Sequence, residues 1–328
     1  MISPDLLKKK CPLSHEEALF LKASRDTASE ILNRKLSKKA LIIGPCSIHH
    51  FDSALKFAEK CSMLAESVKE HFFLLMRVYI EKPRTQLGWK GFAYDPDLDG
   101  SNDIEKGIAL SRSLMKEITK LSVPIATELL EPNFLPYFED FITWGFIGSR
   151  TSSSQIHRQL ASKAPFSVGF KNITDGALSP AINGIISARS PHSFTGIDGS
   201  GKLSRLYSKG NPNTHLVLRG SEHYSNIDQK TLDLAESLLP NCPLMIDCSH
   251  GNSQKNFRLQ PDNFLKALEL NSPRIIGYMM ESFINEGKQD IHSPFLDPNT
   301  SVTDGCMGWE VTEKMVRSAA HRELASTL

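Results

Sequence analysis

"FFLLMRVYIEKPRTQLGWKG", residues 72–91, decides how this chain folds. Its first half is an apolar, β-prone run that does not alternate, the mark of a parallel strand covered on both faces. Arg77 interrupts the run near its end, and the loop that follows carries Lys82, Arg84 and Lys90 among a proline and two glycines. Polar groups belong at the C-terminal ends of parallel strands when those strands close into a (β/α)₈ barrel.

Working outward, seven more runs share this layout: 40–46, 124–129, 145–150, 167–171, 215–219, 244–250 and 275–281. Amphipathic stretches at 52–70, 101–120, 132–144, 179–189, 230–239, 261–270 and 310–324 read as the helices between and after them. Eight such strands predict a (β/α)₈ TIM barrel over residues 40–328. Two additions are expected. Residues 1–39 form a helical extension, with Ser14 and Glu17 as a capping box. A β-hairpin at about 193–211, turning at Asp198-Gly199, is inserted before the sixth barrel strand. An open doubly wound sheet is the other architecture considered, but no G-x-G-x-x-G turn follows the first run.

The bulk properties narrow the function. The chain has 328 residues and a net charge of +1, which gives no reason to expect nucleic acid or a membrane surface as partner. No apolar stretch approaches the roughly 20 residues of a membrane span, and the start lacks a secretory h-region. A cytoplasmic location follows, and the six cysteines are expected to be reduced.

The strand ends carry Cys46, Arg77, Glu128, Arg150, Lys171, Arg219, His250 and Glu281. Barrel closure makes the seventh, eighth and first strands neighbours, which brings His250, Glu281 and Cys46 onto one arc. A thiolate, an imidazole and a carboxylate suit a divalent metal such as Mn, Fe, Co or Zn, with Asp304 from the last loop as a fourth ligand. Cys248 is the rival thiol, since alternation places it on the side of His250; Cys46 is preferred because it reaches the rim. The remaining ends are mostly cations, joined by Lys82 and Arg84, and Glu128 can neutralise only one of them. Guanidinium forks match phosphate oxygens, so this excess points to a multiply anionic, phosphorylated substrate. Each residue also has a plainer reading: Arg77 in a structural ion pair, Cys46 as a buried apolar filler, Glu128 as the counter-ion of Arg150.

Several segments, among them "IGPCSIH", "EKPRTQLGWKG", "GSRTSSSQIHRQLAS", "VGFKNITDG", "MIDCSHGNS" and "SVTDGCMGWE", resemble the type I 3-deoxy-D-arabino-heptulosonate 7-phosphate (DAHP) synthases of the aromatic-feedback-sensitive microbial branch. The resemblance covers about residues 40–310. It implies condensation of phosphoenolpyruvate with erythrose 4-phosphate, the first step of the shikimate pathway, with a divalent metal on Cys46, His250, Glu281 and Asp304 acting as Lewis acid. Phosphoenolpyruvate would meet Arg77, Lys82, Glu128 (through water), Gly148, Ser149, Arg150, Lys171 and Arg219, and Tyr79 is a further implied substrate-binding residue. Arg84 and Thr85 would hold the phosphate end of erythrose 4-phosphate, with Lys82, Pro83 and Asp304 nearby. Lys82, Glu128, Cys46 and Asp304 are the implied catalytic group. A homodimer or homotetramer and an aromatic amino acid effector are also implied. Relatives of this branch carry a longer N-terminal arm, and often an aromatic residue at the position of Cys248. The related octulosonate-phosphate synthase, which has a KANRS-like sequence in place of "KPRT", and a catalytically silent regulatory barrel are the alternatives.

Overall fold

The computed structural model of the chain describes residues 1–326. Eight parallel strands close into a barrel: β1 (Lys39–Gly44), β2 (Phe72–Arg77), β3 (Ile125–Glu128), β4 (Ile142–Ile147), β5 (Ser167–Lys171), β8 (Thr214–Leu218), β9 (Leu244–Asp247) and β10 (Ile275–Glu281). β10 pairs with β1 through Ala40↔Gly277 to Gly44↔Glu281, so β9, β10 and β1 are consecutive around the ring, as closure requires. The expected (β/α)₈ barrel is present.

Helices fill the crossovers: α3 (Phe51–Val68), α4 (Ile104–Lys120), α5 (Leu135–Phe138), α6 (Gln155–Lys163), α7 (Ser179–Ala188), α8 (Gln229–Leu238), α9 (Gln260–Glu269) and α10 (Trp309–Ser326). Their starts are chemically marked. His50, Asp103 and Asp228 cap α3, α4 and α8 by accepting amide hydrogen bonds in the first turn. Before the barrel lie α1 (Pro4–Lys10) and α2 (His15–Leu32), and the Ser14–Glu17 capping box forms in both directions.

Alternation along the strands divides the core in two. Leu41 and Ile43 face outward and pack with helix residues such as Phe57 and Cys61. Ala40, Ile42, Leu75, Ala126, Trp144, Phe146, Val217, Met245 and Met279 pack inside the ring. Ala28, Ile31 and Leu32 of α2 join this inner cluster, and Arg25 donates to the Ile142 carbonyl at 2.9 Å. α2 therefore plugs the N-terminal end of the barrel's interior.

Three expectations need correction. The fourth strand begins at Ile142, not 145, so the helix expected over 132–144 shrinks to the single turn of α5. Its last residues, "ITW", are β-branched and aromatic and join the sheet instead. α6 was not anticipated, because its polar sequence QIHRQLASK shows only a short apolar face. The hairpin consists of β6 (His192–Ile197) and β7 (Leu203–Ser208), and its turn spans residues 198–202. The left-handed residue is Gly201 at φ +82°, while Asp198 gathers hydrogen bonds from Ser200, Lys202 and Ser204.

Candidate active site

The open rim is built by the next inward step on each strand. Two residues beyond Leu75, Ala126, Phe146, Val217, Met245 and Met279 stand Arg77, Glu128, Gly148, Arg219, Asp247 and Glu281, with Lys171 ending β5. The same alternation that fills the core therefore turns polar in its top layer. Glycine is needed at two places there. A Cβ on Gly44 would meet the Arg77 carbonyl at 2.4 Å, and one on Gly148 would meet a Glu128 carboxylate oxygen at 2.0 Å.

Arg77 is 1% exposed and holds the first strand's exit in place. Its guanidinium donates to the Pro45 and Cys46 carbonyls at 3.0 and 3.3 Å and to Glu281 at 2.9 Å. The plainer reading of Arg77 as one half of a buried ion pair thus holds geometrically. Its other face lies 3.5 Å from the Tyr79 ring centroid, a cation–π contact.

The Cys46 sulfur, a Glu281 oxygen and an Asp304 oxygen lie within 4.8 Å of one another. Burial, followed by Glu281, pushes the Cys46 thiol up from its ordinary range. His250 sits beside them with Nε2 at 3.5 Å from Glu281, while Nδ1 lies 2.8 Å from Asp247 and 2.7 Å from the Ser249 hydroxyl. Burial also depresses the His250 pKa, which keeps the ring neutral. A neutral imidazole with Nδ1–H donated to a carboxylate leaves Nε2 as a free lone pair, the usual orientation of a metal-binding histidine. A thiol and two carboxylates crowded together need positive charge, so this donor set fits a divalent cation.

Cys248 is not in this cluster. β9 ends at Asp247, and His250 adopts φ +52°, so strand alternation does not extend to residue 250. Cys248 and His250 therefore do not share a strand face.

Asp247 is the residue that sequence reasoning missed. It is fully buried, pairs with Lys171 at 2.7 Å and orients His250. The excess of rim cations is smaller than pairing with Glu128 alone would leave, because Asp247 serves Lys171 and Glu281 serves Arg77. Nor is Glu128 the counter-ion of Arg150, whose Nε donates to the Thr85 hydroxyl at 3.1 Å. Arg150 is also exposed, three residues beyond β4, so it is not a buried strand-end cation. The rim cations with no carboxylate partner among the described residues include Arg84, Arg150 and Arg219, the last 7% exposed and pulled down in pKa by burial.

These cations line one cavity of about 340 Å³. Its walls include Arg77, Tyr79, Lys82, Pro83, Arg84, Thr85, Glu128, Gly148, Ser149, Arg150, Lys171 and Arg219, with His250, Asp304 and the unanticipated Lys255. Lys82 joins the cavity to the thiol–carboxylate cluster. Its ammonium lies 2.6 Å from the Cys46 sulfur and 3.6 Å from Asp304. Burial opposes this charge, but Cys46, Asp304 and Glu281 hold its pKa above the ordinary range. Asp304, also against burial, is held at about 2, chiefly by Lys82.

A plugged parallel barrel whose open rim links a metal-compatible cluster to a cationic cavity defines a (β/α)₈-barrel enzyme. Residues 20–317 match the DAHP synthetase I family, and the chain belongs to that family. It is 40% identical to the Tyr-sensitive phospho-2-dehydro-3-deoxyheptonate aldolase of Escherichia coli over 339 residues, covering 100% of this chain and 94% of that one. It is 37% identical to the phenylalanine-inhibited enzyme of that name from Saccharomyces cerevisiae, over 97% and 90% of the two chains. The solved structure of the Francisella tularensis SCHU S4 phospho-2-dehydro-3-deoxyheptonate aldolase superposes with a TM-score of 0.96 at 39% identity, covering 98% and 96%. Among the described residues no helix is long and apolar enough to cross a membrane.

Proposed function

We propose that this chain condenses phosphoenolpyruvate with D-erythrose 4-phosphate and water to give 3-deoxy-D-arabino-heptulosonate 7-phosphate and phosphate, opening aromatic biosynthesis. The position of Lys82 carries this reading, because one ammonium touches both the cluster that would polarise an aldehyde and the cavity that would hold two phosphates.

Arg150, Arg219 and Lys171 hold the phosphoenolpyruvate phosphate, and Arg84 with Thr85 holds the phosphate of the aldose. Two anions that repel each other in water are thereby fixed in one orientation, which supplies much of the rate. Cys46, His250, Glu281 and Asp304 would hold a divalent cation (Mn, Fe, Co or Zn), which supplies Lewis-acid polarisation of the aldehyde oxygen when bound. C3 of phosphoenolpyruvate bonds to the aldehyde carbon, and Lys82 delivers a proton to the oxygen that becomes a hydroxyl. Water, oriented by Glu128, adds at C2. The C2–O bond then breaks, releasing phosphate and leaving the ketone.

The inhibitor names carried by the relatives support an aromatic amino acid effector, and a homo-oligomer in the cytoplasm completes the proposal. The test of substrate is phosphate release from phosphoenolpyruvate with either erythrose 4-phosphate or arabinose 5-phosphate. Turnover with the four-carbon aldose alone supports the reading. Turnover only with arabinose 5-phosphate would assign the octulosonate reaction.

A further inference from the structure

Beneath the floor of the cationic cavity lies a methionine sulfur that the reaction described above does not use. Met279 stands on β10 two residues before Glu281, so both side chains turn to the inside of the barrel, one layer apart. It is fully buried and packs in the inner cluster with Ile42, Val217 and Met245. Those contacts alone would make it core filler. Its Sδ, however, accepts from two cations, Arg77 Nη1 at 3.4 Å and Lys171 Nζ at 3.5 Å.

Both cations have few hydrogens left for a ligand. A guanidinium carries five N–H groups and an ammonium three. Arg77 gives Nε to the Pro45 carbonyl, both Nη2 hydrogens to the Cys46 carbonyl and Glu281, and one Nη1 hydrogen to Met279. Lys171 gives one hydrogen to Asp247 and one to Met279. A single N–H therefore remains on each. Arg77 and Lys171 both line the cavity, and they are its most deeply set cations, 1% and 5% exposed. Met279 Sδ is the acceptor that the two share.

The chemistry of that acceptor matters. An alkyl group in its place would leave two buried, charged donors unmet on that side, which is costly. A carboxylate there would neutralise the charge that an anionic ligand needs. A thioether is polarisable and a weak acceptor, so it directs both N–H groups and leaves both charges for the ligand. We propose that Met279 is a positioning residue of the phosphoenolpyruvate site, its sulfur setting Arg77 and Lys171 so that the last N–H of each converges on one anionic end of the substrate. This rests on the functional reading above, and the test separates the two.

Met279→Leu keeps the volume and the apolar surface and removes the acceptor. In the full-length protein it should weaken phosphoenolpyruvate binding about threefold or more by calorimetry, the scale of a lost hydrogen bond, and raise the KM for phosphoenolpyruvate to match. The KM for erythrose 4-phosphate should not follow. Met245→Leu, in the same inner cluster, should leave phosphoenolpyruvate binding unchanged. Met279→Gln offers an amide oxygen at the reach of the sulfur and should bind phosphoenolpyruvate more tightly than Met279→Leu, the reverse of the ranking that apolar packing gives. Thermal unfolding checks each variant, and if Met279→Gln does not fold the two leucine variants decide. A smaller loss in Met279→Leu, an equal loss in Met245→Leu, an equal rise in both KM values, or a folded Met279→Gln that binds no better than Met279→Leu would each overturn the proposal. Native protein that binds no phosphoenolpyruvate would overturn the functional reading, and this proposal with it.

Discussion

The Lys82 ammonium and the Cys46 sulfur are 2.6 Å apart in a largely buried setting, and Asp304 lies 3.6 Å from the same ammonium. A lysine held charged at that point can give up a proton only to a stronger base, such as an alkoxide forming on the aldehyde. Lys82→Met keeps the length of the stem and removes the proton. It is expected to lower kcat by about 10² or more, the usual contribution of a placed acid, while phosphoenolpyruvate affinity changes only a few-fold. Steady-state kinetics decide between this and a fall in binding alone, which would make Lys82 a simple phosphate anchor.

Asp247 ties Lys171 on the anion side to His250 on the cluster side, at 2.7 and 2.8 Å. Asp247→Asn should weaken Mn²⁺ affinity by about 10–100-fold, the range for an orienting carboxylate behind a histidine ligand. Mn²⁺ titration followed by electron paramagnetic resonance reads this directly. An unchanged affinity would show that Asp247 serves only the lysine.

The two cysteines near β1 and β9 separate cleanly. Cys46 shares a 4.8 Å cluster with Glu281 and Asp304, whereas Cys248, equally buried, belongs to no such cluster among the described residues. Cys46→Ala is expected to leave the purified protein without bound metal, and Cys248→Ala to retain it. The reverse result by metal analysis would transfer the ligand role to Cys248.

His215 gives a pH prediction. It is fully buried inside the barrel, accepts the Trp144 indole N–H at 2.8 Å, and is depressed by burial from 6.5 to about 3. Between those values the unfolded chain takes up a proton that the folded chain refuses. Stability is therefore full above pH 6.5 and falls as the pH drops toward 3, by about 2–3 kcal/mol between pH 7 and 4.5 from this group. Urea unfolding at the two pH values should show this loss in the native protein and a smaller one in His215→Gln. Equal losses would remove His215 as the source.

Much of this was legible before any coordinates. β5 and β10 match their apolar runs residue for residue, because both runs are bounded by turn-forming or charged residues. Arg77, Glu128, Lys171 and Glu281 do end their strands, since a closed parallel barrel leaves a polar side chain only that place to go. Local chemistry hid the rest. Asp247 lay inside "LMIDCSH", read as strand to its end; the chain leaves the sheet three residues earlier, and the left-handed residue of the turn is His250 itself, one place before the Gly251-Asn252 pair that signals a turn. An acid within an apolar run was the available signal. The pairings Arg77–Glu281 and Lys171–Asp247 depend on distances across the ring, which a strand-by-strand reading does not supply.

The central claim is that the thiol–carboxylate arc and the cationic cavity form one site for two phosphorylated molecules. A crystal soaked with Mn²⁺ and phosphoenolpyruvate tests it most directly, through anomalous scattering from the metal. The expected result is a peak within bonding distance of Cys46, His250, Glu281 and Asp304, with the phosphate of phosphoenolpyruvate on Arg150, Lys171 and Arg219. Metal bound away from Cys46, or phosphoenolpyruvate seated outside that cavity, would contradict it.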